Sequence, residues 1–527
     1  MNKRYKNYLI NLIVPAVAFG SVTGILTAIV ITSYKQLAGI IIGFSEKLYE
    51  LLRDNLWFCA VAVLVLSAFA FLYAKVYKKW PEISGGGIPT SIGILRGIVP
   101  FRWLLNLIGT FIMSILSFFI GVPLGNEGPS VQMGTAIGRG SLSMFAKKHR
   151  AWDRYTMTGG ACSGFSVATG APVSGIIFAI EEAHQRISPM IVIVSSVSVM
   201  FSYITTEILH SVFGIENSLF ERVDTAVLSV GEIWIPLMIG LVIGLFSAIF
   251  LRYYKTINKL FNKILKNIPL GIKIFGILIL TLFAGILSDD FISTGHHLII
   301  SLFTENKGIL MLLIILLVRS TLTLSANTNG ITGGMFLPIM SLGAVLASAI
   351  GRVSETVFGL GNEYYTAILL LGITACISGM MKMPVTAVVF SLEALYCYNN
   401  ILSVITVSAT AYIITEIFSA KSINDDVLEN KVVKQNKGKS LKTVEMTAIV
   451  QENSFAVGKQ IRDIFWPANL FVLSVQRDEI HGEEVDEHGG TYLKPNDKLH
   501  IRYASFDNAE TLDSLSEILG EQDFKII

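Results

Sequence analysis

The feature that most constrains this chain is a succession of long apolar stretches filling its first four fifths. Up to about Ala420, the runs Tyr8–Thr32, Leu56–Tyr73, Leu104–Ile120, Ile191–Ile204, Ile235–Phe250, Ile272–Leu287, Ile309–Leu324, Tyr365–Met381 and Ile401–Ile417 carry almost no charge. Crossing the hydrocarbon core takes about 17–25 apolar residues. Several runs meet that length, and others are short or broken by glycine. The bland alternative is a large soluble core. Composition opposes it, because 52% of the 527 residues are hydrophobic and only 15% charged, against about a quarter charged in ordinary soluble chains. The expected fold is an all-α polytopic membrane protein.

Charge adds orientation. A net charge of +2 gives no reason to expect nucleic acid. Basic residues gather in the N-terminal hexapeptide, at Lys75–Lys79, at Lys147–Arg154, at Lys255–Lys273 and after Lys421. Short basic loops stay cytoplasmic, so Lys3, Arg4 and Lys6 point to a cytoplasmic N-terminus. With a polar C-terminus on the same side, an even number of crossings is expected in a multi-pass protein of the cell membrane. Met1–Thr32 has no small-residue cleavage site after a short apolar core, so no cleavable signal is expected. Cys59, Cys162, Cys376 and Cys397 lie in apolar segments without ligand or disulfide spacing and read as packing residues.

Three parts emerge: a membrane domain over 1–420, a polar Lys/Asn-rich connector over 421–441, and a small α/β domain over 442–527. In the last, Thr443–Val450 alternates as a strand does, Val457–Phe465 reads as a short amphipathic helix, and Leu470–Val475 and Lys498–Arg502 read as strands. The membrane part repeats itself. PVSGIIFAIE at Pro172–Glu181 matches PVTAVVFSLE at Pro384–Glu393 at an offset of 212, with proline, valine, phenylalanine and glutamate coinciding. A proline followed by glycine five residues on recurs at Pro129–Gly134 and Pro338–Gly343, an offset of 209. Duplicated halves are typical of transporters, whose sites form from broken helices at the repeat interface.

Three glycine–proline clusters interrupt the apolar runs: GGGIP at Gly85–Pro89, GNEGP at Gly125–Pro129 and GGMFLP at Gly333–Pro338. Proline suits the first turn of a helix, and glycine lets backbone approach a ligand. The first N–H groups of such helices lack internal partners and cannot stay bare in lipid. A bound anion satisfies them and is favoured by the positive end of the dipole. Simple kinks would explain one cluster. Three together, one holding an acid, point to an anion site without a fixed cation, weak enough to release its ion.

Glu127 lies inside GNEGP, where a carboxylate is costly and usually functional. It can occupy the anion seat itself and leave on protonation, acting as gate and proton carrier. The alternative is a structural N-cap. Glu181 has a repeat partner in Glu393, which favours a structural role for both, bonding to backbone. Glu182 has none, since Ala394 holds that place. It is the candidate internal proton acceptor, with an interfacial acid paired to Arg186 as the plainer reading. Arg319 and Lys382 read as loop or interface charges, and His296–His297 as a loop pair. His481, Glu483, Glu484, Asp486 and His488 form a polar cluster without a ligand frame, so no metal or cofactor is expected. No catalytic constellation supports an enzyme.

In order, spacing and repetition, GGGIP, GNEGP and GGMFLP resemble the anion-binding signatures of the CLC chloride channels and proton-coupled chloride antiporters, over roughly residues 8–428. The resemblance implies inverted repeats of tilted helices, a homodimer with one pathway per subunit, and chloride or other small anions and protons as the transported species. Matched by position, Glu127 corresponds to the external gating glutamate and Glu182 to the internal proton glutamate that marks antiporters. Met335 and Phe336 correspond to the residues whose amides hold the central anion. The clusters contribute Gly86, Gly87, Ile88, Gly125, Asn126 and Gly128 to the same site. The chain departs from the family pattern in three places. Gly86 stands where a serine hydroxyl is usual, Asn424 in AKSINDDVL matches the tyrosine gate, and Asn126 replaces a basic residue. Loss of the hydroxyls implies weaker discrimination among chloride, nitrate and bromide. A methionine at the serine position, which marks fluoride exporters, is absent.

The segment SFAVGKQIRDIFWPANLFVLSVQRDE with GGTYLKPNDKLHIR resembles the TrkA C-terminal domain of potassium-transport regulators, through Val457-Gly458-Lys459, Pro467, Arg477 and Leu493–Leu499. This implies a regulatory domain that binds a small ligand. The leading expectation is a proton-coupled anion antiporter. The alternatives are a passive anion channel of the same fold and a potassium-transport component. The last lacks the carbonyl-lined filter repeat that a potassium pore requires.

Overall fold

A computed structural model describes residues 13–100, 102–145, 150–214, 219–436, 440, 442–467, 469–477, 484–485, 489–505 and 508–526. The N-terminal basic residues and most of the His481–His488 cluster lie outside these. Among the described residues, ten helices are long and apolar enough to cross a membrane. Each of the nine apolar runs overlaps one of them, from Val14–Asp54 to Ile401–Ile417. The tenth, Phe336–Phe358, was not among the runs because serines, Arg352 and Glu355 dilute it. Ile40, Leu64, Phe71 and Leu317 remain exposed on these helices, as a lipid-facing surface requires.

The centre is built differently. Helices Glu127–Phe145 and Asp153–Thr169 are too polar and glycine-rich to face lipid. They pack on each other backbone to backbone, with Gly134 against Gly160 and Gly138 against Thr156. Small residues permit that closeness, and dispersion then holds the pair where water cannot drive association. The pair Phe336–Phe358 and Glu363–Met381 repeats the arrangement, with Gly343 against Gly372.

The repeat becomes an exchange of caps. Glu393, ending helix Pro384–Glu393, accepts from the backbone N–H of Val173 and Ser174, both at 2.8 Å, and from the Ser174 hydroxyl at 2.7 Å. Glu181 accepts from the N–H of Val385 at 2.9 Å and of Thr386 at 2.7 Å, and from the Thr386 hydroxyl at 2.6 Å. Each acid satisfies the orphan donors at the start of the other half's short helix. This is the structural role that pairing Glu181 with Glu393 implies.

The C-terminal domain is a five-stranded antiparallel sheet of β1 (Lys442–Ile449), β2 (Leu470–Gln476), β3 (Glu484–Val485), β4 (Lys498–Ser505) and β5 (Lys525–Ile526) in the order β3-β2-β4-β1-β5. Helix Asn508–Leu519 adds Leu515, Ile518 and Leu519 to a core with Met446, Ile501 and Tyr503. The three expected strands are present. The expected helix over Val457–Phe465 is not: only a 3-10 turn forms, at Ile461–Asp463. The backbone N–H groups of Gly458, Ile461 and Arg462 donate to the carbonyls of Leu493, Thr491 and Gly489 instead. Tertiary pairing thus takes the donors a helix would need. The connector also differs from a free tether. Residues Ile423–Gln435 form a helix, capped by Ser422 accepting from the N–H of Asp425 at 3.0 Å. Its residues Ile423, Asn424 and Leu428 are buried against the membrane domain.

Candidate functional site

The three glycine–proline clusters each start a helix: Ile88–Leu95, Glu127–Phe145 and Phe336–Phe358. Their N-terminal ends meet. Gly125 and Gly334 exchange backbone hydrogen bonds, both at 2.7 Å. A Cβ on Gly128 would collide with the carbonyl of Gly86 and the Cα of Gly334, and one on Gly87 would strike the backbone of Gly128. Gly87 also holds φ at 72°, a region side chains avoid. No larger residue fits either position. The loops are fixed from outside by the N–H of Gly85 donating to Gly330 O at 3.0 Å, and by Thr332, whose N–H donates to the Tyr77 hydroxyl at 2.9 Å. Gly86, Gly87, Ile88, Gly125, Gly128, Met335 and Phe336 are thereby gathered in one buried locus. Asn126 stands at its edge, half-buried.

Glu127 is fully buried there. Its carboxylate folds back over Gly125 toward Leu337 and Pro338. The backbone N–H groups of Glu127 itself and of Leu337 are the nearest stabilising donors. Neither reaches full hydrogen-bond geometry with the carboxylate oxygens. A structural N-cap would be better bonded. The side chain occupies the positive end of two helix dipoles without a formed hydrogen bond.

Below this locus lies an aromatic cluster. Phe336 meets Phe165 and Phe390 edge-on, each at 5.2 Å, and Phe165 stacks on Phe178 at 5.4 Å. Phe178 and Phe390 are the phenylalanines of the internal repeat. Helix Pro172–Phe178 then widens into a π-turn over Ala179–Ala183 that carries Glu182, which is buried. The Asn424 amide donates to Glu182 Oε1 at 2.8 Å. Asn424 therefore sits at the inner acid, bonded to it across 242 residues of sequence. Arg96 braces the turn from the end of helix Ile88–Leu95, donating to Glu182 O at 3.0 Å and Ala183 O at 3.1 Å. Arg186 does not pair with Glu182: it lies over the Phe465 ring at 4.9 Å. An open cleft lined by Glu181, Gln185, Lys382, Glu416 and Asp425 borders the turn.

Other residues take places that the sequence did not assign them. Arg319 is no loop charge: it is buried and donates to the carbonyls of Asp290, Ile292 and Ser293 at 2.7–3.1 Å. Lys382 pairs with Glu416 at 2.6 Å. Lys431, on the connector helix, reaches under the first cluster and donates to Ser84 O at 2.9 Å and Thr90 Oγ1 at 2.8 Å. Burial pushes its ammonium down to about 7, with Glu82 opposing. The C-terminal domain docks through Phe465, whose ring lies 4.3 Å from Tyr155 and 4.5 Å from His184. The Ser422-to-Asp425 spacing signals the connector helix, but nothing in one sequence signals Phe465 or Arg96. Among the described residues no cluster of His, Cys, Asp and Glu could hold a metal.

Residues 66–416 match the voltage gated chloride channel family. The chain is 26% identical over 375 residues to the H(+)/Cl(-) exchange transporter ClcA of Klebsiella pneumoniae subsp. pneumoniae, covering 70% of this chain and 79% of that one. It is 25% identical over 435 residues to the ClcA of Salmonella paratyphi C, covering 81% and 91%. Among solved structures, a slow cyanobacterial Cl-/H+ antiporter superposes with a TM-score of 0.71 at 23% identity, covering 81% of this chain and 99% of that one. A CLC-type fluoride/proton antiporter superposes at 0.62 and 19% identity, covering 77% and 96%.

Proposed function

The chain belongs to the voltage gated chloride channel family, and on that premise we propose that it exchanges chloride, or a similar small monovalent anion, for protons across the cell membrane. The observation that carries this is the Glu127 carboxylate, buried at three converging helix starts without a fully formed hydrogen bond. An anion entering that seat gains the unpaired N–H groups and the dipole field. It displaces the carboxylate, which leaves more readily once protonated. Glu182 takes the proton on the inner side, oriented by Asn424 and Arg96. The phenylalanines between the two acids keep the proton route apart from bulk water. Relatives named as H(+)/Cl(-) exchange transporters support the same chemistry.

A passive anion pore of the same fold is the second reading. It is favoured by Gly86, which brings no side chain to the seat, and by Asn424, whose amide is engaged by Glu182. A potassium-transport role has no support in the membrane domain.

The C-terminal domain acts, in this proposal, as a ligand-responsive regulator of the TrkA C-terminal type. It touches the membrane domain two and four residues beyond Glu182, at His184 and Arg186. The start of helix Val14–Asp54 shares a buried cluster with Trp152 and Phe465 through Ala16. The N-terminal end of that helix and the C-terminal domain therefore lie on one side. Lys255, paired with Asp426 at 3.5 Å, and Arg154 join them there. Basic residues on that side support reading it as cytoplasmic. Assembly as a homodimer, with one pathway per subunit, completes the proposal.

The test uses full-length protein in chloride-loaded liposomes, with the potential clamped by valinomycin. Chloride leaving down its gradient should drive protons uphill, and Glu127→Ala and Glu182→Gln should each abolish the proton movement. Chloride flux without protons would replace the exchanger with the pore, and absence of anion flux would refute both.

A further inference from the structure

Gly86 leaves the anion seat without a side chain of its own, and the space beside it is taken. Asn327 is the next-to-last residue of helix Ile309–Thr328, seven residues before Gly334. It is 4% exposed. Its Oδ1 faces the buried Tyr254 hydroxyl at 3.5 Å. The other end of the amide points the opposite way, and Nδ2 has no partner among the described residues. A Cβ placed on Gly86 would lie 3.0 Å from that Nδ2, with the Gly333 carbonyl 3.8 Å away. A buried, unpaired amide is therefore aimed into the junction of the first and third clusters, where two helix starts converge.

We infer that Asn327 is the side-chain hydrogen-bond donor of the anion seat, supplied from the helix before the third cluster, and that Gly86 is the condition for it. An unpaired N–H in a protein interior enclosed by lipid is expensive, and an anion is the partner the surroundings favour. The amide N–H groups cannot titrate away, and they add directed donors to a site otherwise made of backbone. The two positions compete for one space. A serine at 86 would bring its Cβ to 3.0 Å from the amide, which would have to give way. One donor fits, and here it comes from position 327. Small monovalent anions, chloride, bromide and nitrate, are the ligand class. The inference rests on reading the converging helix starts as an anion seat.

The experiment is chloride titration of full-length protein in detergent by calorimetry, paired with chloride efflux from liposomes. Asn327→Leu keeps the volume and removes the donor. Chloride affinity should fall roughly tenfold or more, the effect of losing one hydrogen bond to a charged partner. Asn327→Ala should fall similarly, and Gly86→Ser in the Asn327→Ala background should recover most of the loss, because the hydroxyl then has the vacated space. A general packing defect would not be rescued in this way. If Asn327→Leu does not yield folded protein, Asn327→Ser against Asn327→Ala decides, the donor-bearing variant binding more tightly. Native protein that binds chloride while Asn327→Leu and Asn327→Ala bind within about twofold of it overturns the inference alone. Native protein that neither binds nor moves any anion overturns the proposed function instead.

Discussion

Removing the Phe465 ring should loosen the C-terminal domain from the membrane domain and free the turn that carries Glu182. The ring is 6% exposed and stands among Tyr155 at 4.3 Å, His184 at 4.5 Å and the Arg186 guanidinium at 4.9 Å. Polar contacts around it are bonds to backbone or single pairs: Arg154 Nη1 to Trp466 O at 2.6 Å, the Ser188 hydroxyl to Asp463 Oδ1 at 2.9 Å, and the Tyr155 hydroxyl to Asp463 O. The ring is thus a buried apolar anchor within a polar rim, beside Phe455, which packs on Trp152 at 5.8 Å and Tyr155 at 6.0 Å. Truncating a buried phenylalanine to alanine costs about 3–5 kcal/mol in a core. An interface that can relax or admit water loses less, about 2–3 kcal/mol, or roughly thirty- to 150-fold in the docked population. Hydrogen exchange of the full-length protein reads this directly. Phe465→Ala should speed exchange of amides in both 461–467 and 179–188, while helix Glu363–Met381, which packs elsewhere, stays protected. Proton-coupled flux should change in the same variant, since Glu182 sits on the released turn. Unchanged exchange in 179–188 would show that the domain does not restrain the turn through this ring.

Other consequences are equally direct. Glu181→Ala and Glu393→Ala each leave two backbone donors unpaired at a helix start, and each should destabilise the protein by about 2–4 kcal/mol, read as lost thermal stability in detergent; equal stability would show that water replaces the caps. Gly87→Ala, which forces a Cβ into Gly128, should abolish chloride binding even where folded protein is recovered. Lys431 is held near 7 by burial, against about 10.4 in an unfolded chain. The unfolded chain therefore binds more protons between those values, and stability should rise with pH across that window. Lys431→Met should accordingly raise the melting temperature most at pH 7 and below, with the gap narrowing toward pH 10; a gap independent of pH would refute the assignment.

Much of this protein was legible in one dimension because lipid is an unforgiving solvent. Every backbone donor inside it must be satisfied, so the apolar runs had to be helices, and the glycine–proline clusters had to be helix starts needing a partner. The repeat at offset 212 correctly separated Glu181 and Glu393, which cap each other's helices, from Glu182, which has no counterpart. Where backbone donors have a choice, sequence misled: Val457–Phe465 has a helical pattern, but its N–H groups pair with residues 489–493. The connector reads only as polar, and its polar residues Asn424 and Lys431 turn inward to bond Glu182 and the first cluster. What the sequence could not contain is which distant side chains meet. Asn424 reaches Glu182, Asn327 points at the empty Gly86, and Phe465 wedges beside His184 only because several helices cross at particular angles. Contacts over separations of hundreds of residues are set by packing, and a periodicity of 3.6 carries no record of the angle at which two helices cross.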